Sequence, residues 1–325
     1  MIRLEQCGWF TTLQDHYRSG WQAYGVSLGG AMDLEALTLA NALVLNEMHT
    51  AALEITQAPH RFYTDEDLVV AFTGGGLQPY CNGKKLAMNM PHFIPAGNEI
   101  VLQTPTEGFR MYMSVMGGFE AHLLFGSCAT DLALQAGGYN GRALRKGDLL
   151  RIYPYKSNEQ KKLASMLRNN ASIQLIHIEA NYTTDEIAVF PGPEFHFLSD
   201  IVKQQLETAS FTIGNASNRM GYLLEDNLIT TISKKEIISS PVTRGTIQCL
   251  PSGNCMLLMA DAQTVGGYPR ILQTATTSFS ALAQKKPGDT IRLRIIDAIT
   301  SCSLQKTSFS KLQEIKEGMR AWFTD

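Results

Sequence analysis

Gly288-Asp289-Thr290-Ile291-Arg292-Leu293 and Gly147-Asp148-Leu149-Leu150-Arg151-Ile152 share one pattern: a glycine, an acid, then an extended run broken by an arginine. Gly97-Asn98-Glu99-Ile100-Val101-Leu102 is a third copy with an amide in place of the acid. A glycine followed by a short polar residue turns the chain, and the run behind it suits a strand. The first two copies lie about one domain length apart, which predicts two similar β-domains in tandem.

Working outward, the same alternation of strand and turn covers most of the chain. Residues 68–73 are an apolar, β-branched run ending at Gly74-Gly75-Gly76, and Asn82-Gly83 suits a tight hairpin turn with two positive φ angles. In residues 109–116, Phe109, Met111, Met113 and Val115 alternate with Arg110, Tyr112 and Ser114, which predicts a strand with one wetter face. Residues 246–250 and 255–260 flank the turn Pro251-Ser252-Gly253-Asn254. Helices are few and short. Asp33 is placed to cap one through Leu34, Leu37, Ala40, Leu43 and Val44, with Asn46 near its end. Ser199 or Asp200 opens another with Leu198, Ile201, Val202, Leu206 and Ala209 facing inward, and Phe309, Leu312, Ile315, Met319 and Trp322 stripe a C-terminal helix. Residues 156–170 are polar and charged and are expected to separate the halves. The sequence thus predicts a mainly β chain with domains at 1–160 and 171–325, the second carrying the C-terminal helix.

Composition narrows the function. The 325 residues carry 28 Lys and Arg against 30 Asp and Glu, a formal charge of −2 with the signs interspersed. No basic footprint for nucleic acid or for a membrane surface results, so a small molecule or another protein is the expected partner. Cys7, Cys81, Cys128, Cys249, Cys255 and Cys302 form no C-x-x-C pair, and scattered reduced thiols fit the cytoplasm. No apolar run approaches the roughly 18 residues of a membrane span, and the acid in Met1-Ile2-Arg3-Leu4-Glu5 is unlike a signal peptide.

Four short motifs invite chemistry and fit turns or edges better. Gly25-Val26-Ser27-Leu28-Gly29 matches G-x-S-x-G, but no buried strand precedes it as a nucleophile elbow requires. Gly74-Gly75-Gly76 lacks the Lys-Ser/Thr of a phosphate loop. His177 and Glu179 share a face of a strand expected at residues 173–180, but spacing identifies no third metal ligand, so no metal site is expected. In Met88-Asn89-Met90 the central residue is no lysine, which excludes covalent biotin on this chain.

The densest chemistry is Asp261-Ala262-Gln263-Thr264-Val265-Gly266-Gly267-Tyr268-Pro269-Arg270, following the apolar run 256–260. An acid, an amide, a hydroxyl and two glycines beyond a strand suit a binding loop on a rigid scaffold. A second cluster is Asn218-Arg219-Met220-Gly221-Tyr222, where Arg219 is suited either to hold a carboxylate or phosphate of a ligand or to pair with an internal acid such as Asp261.

These clusters carry a family resemblance. Gly192-Pro193, Ser217-Asn218-Arg219-Met220-Gly221-Tyr222, Gly245-Thr246-Ile247-Gln248 and the 261–269 loop occur in a family-specific order. It is extended by Gln14-Asp15, Gly20-Trp21-Gln22, Gly25-Val26, Gly30-Ala31-Met32-Asp33, Ala40-Asn41, Leu53-Glu54-Ile55 and Gly141-Arg142-Ala143-Leu144. The chain resembles the family of the C-type component of bacterial ATP-dependent 5-oxoprolinase. That family is similar to the second allophanate hydrolase-type subunit, to the carboxyltransferase region of urea carboxylase and to an antagonist of a sporulation-kinase inhibitor. The resemblance implies two tandem cyclophilin-like β-barrels and two partners, the B-type component of the same enzyme and its A-type component, a lactam-utilisation protein. It also implies ATP, bound by the complex if not by this chain alone, and 5-oxoproline as substrate. Arg219 would neutralise substrate charge, Asp261 and Gln263 would position substrate, and Thr264, Gly266, Gly267, Tyr268, Met220 and Asp33 would contact it. The chain departs from the pattern at Ala262 (usually Arg), Asn218 (often Asp), Ser27 (Pro) and Gly29 (Ser). The resemblance leaves two further functions: a regulator of a histidine-kinase inhibitor, or a carboxyltransferase half-site acting on a urea-like amide.

Overall fold

The computed structural model describes residues 1–57, 59–169, 184–225 and 237–321. It is mainly β, and the chain divides into two compact units. One comprises Met1–Tyr17, Asp33–Tyr182 and Phe309–Asp325, the other Arg18–Met32 and Thr183–Ser308.

The first unit holds two antiparallel sheets. One runs Leu149–Leu150, Ile2–Gln6, His60–Thr64, Glu99–Pro105, Leu77–Cys81, Lys84–Lys85, and the other Phe10–Gln14, Ala52–Thr56, Arg110–Val115, Leu68–Gly74, Pro91–Ile94. Their facing residues form one core: Leu4, Phe62, Ile100 and Leu102 from the first, Leu53, Val70, Phe72, Met111 and Met113 from the second. Alternation thus places Met111, Met113 and Val115 inward as expected. The opposite face of that strand is not wet, because the helix Leu34–Leu43 covers it and Tyr112 and Ser114 are fully buried. Burial of polar groups is tolerated there because each finds a partner. The Tyr112 hydroxyl donates to Glu54 Oε2 (2.6 Å) and accepts from the Asp33 amide (2.8 Å), and Ser114 Oγ donates to Asn41 Oδ1 (2.5 Å). Burial, reinforced by the Glu54 and Asp33 charges, holds the Tyr112 phenol well above its ordinary pKa, so it stays protonated.

Residues 156–170, expected to separate the halves, contain the helix Asn158–Arg168. Ser157 and Gln160 form a reciprocal capping box, and Leu163, Met166 and Leu167 recur at helical spacing. Few apolar residues suffice because only one narrow stripe is buried, against Leu39, Leu43, Val69 and Ala71. Ile315 and Met319 of the helix Ala298–Ala321 join the same cluster; the side chains of Phe309, Leu312 and Trp322 lie outside the described residues. So does the strand expected at 173–180, with His177 and Glu179.

The second unit is a closed barrel in the order Glu186–Pro191, Arg270–Thr274, Thr246–Cys249, Cys255–Leu258, Gly221–Glu225, Ser210–Ile213, Thr290–Ile295. Its last strand pairs antiparallel with Ser210–Ile213 and parallel with Glu186–Pro191, which closes the ring and leaves no edge. Ile187, Phe211, Leu224, Ile247, Leu257, Ile271 and Ile291 fill the interior. The helix Asp200–Thr208, capped by Ser199, buries Val202 and Leu206, but Ile201 is 70% exposed. One residue is a rotation of about 100° on a helix, and the face centred on Val202 and Leu206 turns Ile201 toward solvent.

The three glycine-led stretches form the same turn. Gly97, Gly147 and Gly288 have φ of 81°, 91° and 90°, the left-handed third position of a type II turn. The residue after each closes the turn onto Pro95, Arg145 and Lys286. Asp148 and Asp289 also accept the Arg145 and Lys286 amides. Pro95 has no amide to donate, and there the residue is Asn98, whose side chain donates to the Pro95 carbonyl instead (2.9 Å).

Two buried polar residues generate predictions. Asn46 donates to the Val115 carbonyl (2.7 Å) and accepts from the Gly117 amide (2.9 Å) and Gln160 Nε2 (3.2 Å). Asn46→Ala strands these groups and is expected to cost about 2–4 kcal/mol in urea unfolding. His60 is fully buried, with Nε2 2.6 Å from Thr11 Oγ1, and burial lowers its pKa from 6.5 to about 4. The unfolded chain binds a proton between those values that the native protein does not. This contribution is therefore complete above pH 6.5 and is lost as pH falls toward 4, amounting to about 3 kcal/mol. Stability of His60→Gln, measured by urea unfolding at about pH 7 and pH 4.5, is expected to fall less between those pH values than that of the parent.

Candidate functional site

The barrel strands Gly221–Glu225 and Cys255–Leu258 are paired, and their ladder continues past their ends. Met259 and Asp261 donate their amides to the carbonyls of Met220 and Arg219 (3.0 and 2.9 Å). Arg219 and Asp261 are thereby set opposite each other, and the two clusters singled out in the sequence meet. Their side chains form a bidentate pair, Nε to Oδ2 at 2.8 Å and Nη2 to Oδ1 at 2.9 Å. Arg219 Nη2 also donates to the Gly30 carbonyl at 2.7 Å. Arg219 thus pairs with the internal acid Asp261.

Arg219 belongs to a group of arginines that hold the segment Arg18–Met32 in this unit. Arg244 donates to the carbonyls of Ala31 (3.1 Å) and Met32, with its guanidinium 4.4 Å from the centre of the Phe279 ring. Arg18, only 1% exposed, packs its guanidinium on Gly29, where any side chain would collide with it. The Gly29 amide donates to the Ala260 carbonyl (2.9 Å), tying the segment to the strand that leads into the loop. These contacts give a reason for glycine at position 29.

Beyond Asp261 the loop is exposed at Gln263, Val265 and Tyr268 and half-buried at Thr264, Gly266 and Gly267. Val265–Gly266 pairs with Ser240–Pro241, and the Thr264 carbonyl accepts the Val242 amide (3.0 Å). Gln248, buried beneath, donates Nε2 to the Tyr268 carbonyl at 3.1 Å. A Cβ at Gly266 would lie 2.6 Å from Gln248 Nε2, so the close neighbour that demands glycine there belongs to the protein itself. Met220 is 52% exposed. Asp33 lies in the first unit, where its carboxylate caps Leu34–Leu43 through the Ala36 amide (3.0 Å).

Two departures from the family pattern have local explanations. Ala262 is buried against Val242 and Leu258, a setting with no use for an arginine. Asn218 Oδ1 accepts the Met220 amide (2.7 Å), a turn-closing bond that either an amide or a carboxylate can make.

The other motifs stay structural. The Gly75 and Gly76 amides already donate to the carbonyls of Arg110 (2.8 Å) and Glu107 (2.7 Å), so they are not available to a phosphate. Ser27 follows the short 3-10 turn Gln22–Tyr24 and not a strand. Among the described residues no three His, Cys, Asp or Glu side chains converge as a metal site requires, and no helix is long and apolar enough to cross a membrane. Sequence reasoning passed over Arg244, Gln248 and the pair Glu194–Arg270 (2.8 Å), because their partners lie 20 or more residues away. Gln248 and Arg270 lie within the sequence clusters 245–248 and 261–270, but nothing local marks such long-range bonds.

Comparison with known proteins agrees with this architecture. The chain is 32% identical to the C-type component of 5-oxoprolinase from Escherichia coli K12 over 94% of its own length and 93% of that protein's. It is 29% identical to the Haemophilus influenzae protein of the same name over 94% of each. The fold is shared with the Kluyveromyces lactis urea carboxylase structure, with a TM-score of 0.83 over 98% of this chain and 29% of that one, at 23% identity. Residues 24–295 match the family model described as carboxyltransferase domain, subdomain A and B, and the chain belongs to that family.

Proposed function

We propose that this chain is the C-type component of an ATP-dependent 5-oxoprolinase, inactive alone and working with A-like and B-like partners. The observation that carries the proposal is the likeness, end to end on both sides, to proteins named as that component of 5-oxoprolinase. The reaction would be 5-oxo-L-proline + ATP + 2 H2O giving L-glutamate, ADP and phosphate. A lactam resists water because its amide is resonance-stabilised, and phosphorylation of the amide oxygen would make the carbonyl carbon electrophilic.

The geometry suits substrate positioning by the 261–268 loop. Gln263 and Thr264 offer an amide and a hydroxyl to the lactam, and Tyr268 and Met220 offer exposed apolar surface. Arg219 and Asp261 form the base that keeps these groups in place, since a bidentate pair with a third bond to Gly30 restricts the loop's root. The Gly75 and Gly76 amides are already bonded within the chain, so on this reading ATP is bound by the complex if not by this chain alone, at a place other than that turn.

The family description favours a second reading, a carboxyltransferase half-site, for which a urea-like amide would be the acceptor. Both substrates are planar, resonance-stabilised amides, so the same loop chemistry would serve either. The test is to purify the chain with its A-like and B-like partners and to follow glutamate formation and ATP hydrolysis with 5-oxoproline or urea. Glutamate formed only by the complete mixture is the expected result; none from the complete mixture would overturn the proposal. Gln263→Ala, on an exposed side chain, is expected to lower kcat/KM about tenfold with little change in unfolding midpoint. Arg219→Ala, which leaves Asp261 without its partner, is expected to cost about 3–5 kcal/mol of stability as well as activity.

A further inference from the structure

The 261–270 loop is pinned at both ends by an arginine and a carboxylate. Arg219 and Asp261 hold the root where the loop leaves the barrel. At the other root Arg270 donates Nε to Glu194 Oε2 (2.9 Å) and Nη2 to Glu194 Oε1 (2.8 Å), and its backbone amide donates to the same carboxylate (2.9 Å). The Glu194 amide returns a bond to the Arg270 carbonyl (3.1 Å). Gly192, two residues before Glu194, lies so close to that carbonyl that any side chain there would collide with it. The pair is largely removed from solvent, its side chains 19% and 13% exposed, and the Arg270 hydrogen bonds hold the Glu194 carboxyl below its ordinary pKa.

What separates this pair from an ordinary brace is the remaining arm of the guanidinium. Arg270 Nη1 donates to the Pro241 carbonyl at 2.9 Å. Pro241 pairs with Val265, and Ser240 with Gly266, in a ribbon only two residue pairs long. A ribbon of that size is not stable by itself and takes its position from what it is tied to. Its ties include the Val242 to Thr264 bond, the packing of Val242 on Leu258 and Ala262, Gln248 beneath Tyr268 and Gly266, and Arg270 on Pro241. Glu194 therefore fixes the guanidinium, the guanidinium fixes Ser240–Pro241, and that strand fixes the loop tip.

We propose that Arg270, oriented by Glu194, is a positioning residue for the substrate loop. Neither side chain is assigned a contact with substrate; they set where Gln263, Thr264 and Tyr268 stand. The proposal rests on the reading of the loop as the substrate-binding element. A carboxylate is needed at 194 because only it accepts from two guanidinium nitrogens and an amide at once, and arginine is needed at 270 because lysine cannot reach Glu194 and Pro241 in one rigid plane.

The test uses the full chain, alone and in the assembled complex, with Glu194→Gln and, should that variant not fold, Arg270→Lys. Hydrogen exchange of the free chain reads the clamp without reference to activity. The Val242 and Gly266 amides are expected to exchange about tenfold faster, while those of Cys255–Leu258 stay unchanged. In the complex, KM for 5-oxoproline is expected to rise about tenfold with kcat changed less than about threefold. Unchanged exchange at Val242 and Gly266 would overturn the clamp. Faster exchange there with unaltered KM, in a complex that does turn over 5-oxoproline, would overturn its role in positioning. A parent complex that forms no glutamate would instead overturn the functional reading, and the exchange result would still decide the clamp.

Discussion

One guanidinium, that of Arg219, sits where three parts of the second unit meet. Its bidentate bond to Asp261 fixes the root of the loop, its bond to Gly30 holds a segment 189 residues earlier in the chain, and its backbone carbonyl receives the Asp261 amide. A buried ion pair of this kind adds little net stability over an apolar substitute, but removing one member is costly because the other charge is left in a poor solvent. Its value here is geometric. The same planar fork cannot serve the acid and the carbonyl unless both stand where the barrel puts them.

That placement depends in turn on closure. The parallel register between Glu186–Pro191 and Thr290–Ile295 completes the barrel, and neighbouring strand ends become fixed points from which Arg219, Asp261 and Arg270 emerge. A loop anchored at both ends on such a frame can expose an amide, a hydroxyl and an aromatic ring without losing its shape. The first unit uses a different device. Its five-stranded sheet carries Thr12, Glu54, Tyr112 and Thr73 in one cross-strand row, all fully buried, and satisfies polar groups by hydrogen bonds where an apolar face would use packing.

Features whose partners are near in sequence were legible. The type II turns at Gly97, Gly147 and Gly288, the Asn82-Gly83 hairpin and the Asp33 and Ser199 caps each involve residues within four positions of one another. Alternation in 109–116 correctly assigned Met111, Met113 and Val115 to a core, but a sequence pattern cannot say whether a second layer covers the polar face. The helix Asn158–Arg168 was hidden by its composition, since a single buried stripe requires only a few apolar residues. At the candidate site the two clusters were visible as clusters. That Arg219 faces Asp261 follows from a ladder between strands that are far apart in the sequence.

The amino-acid sequence by itself determined the β character, the turns and caps, and, through its motifs, the family. Those properties arise from short-range sterics and hydrogen bonding, or from residue types kept in order. Tertiary structure alone decided that Arg18–Met32 joins the second unit, that Gly266 makes room for Gln248, and that Glu194 and Arg270 clamp the far end of the loop. Each of these is a contact between groups brought together only when the barrel closes, and no local preference of the chain encodes which carbonyl a guanidinium will meet.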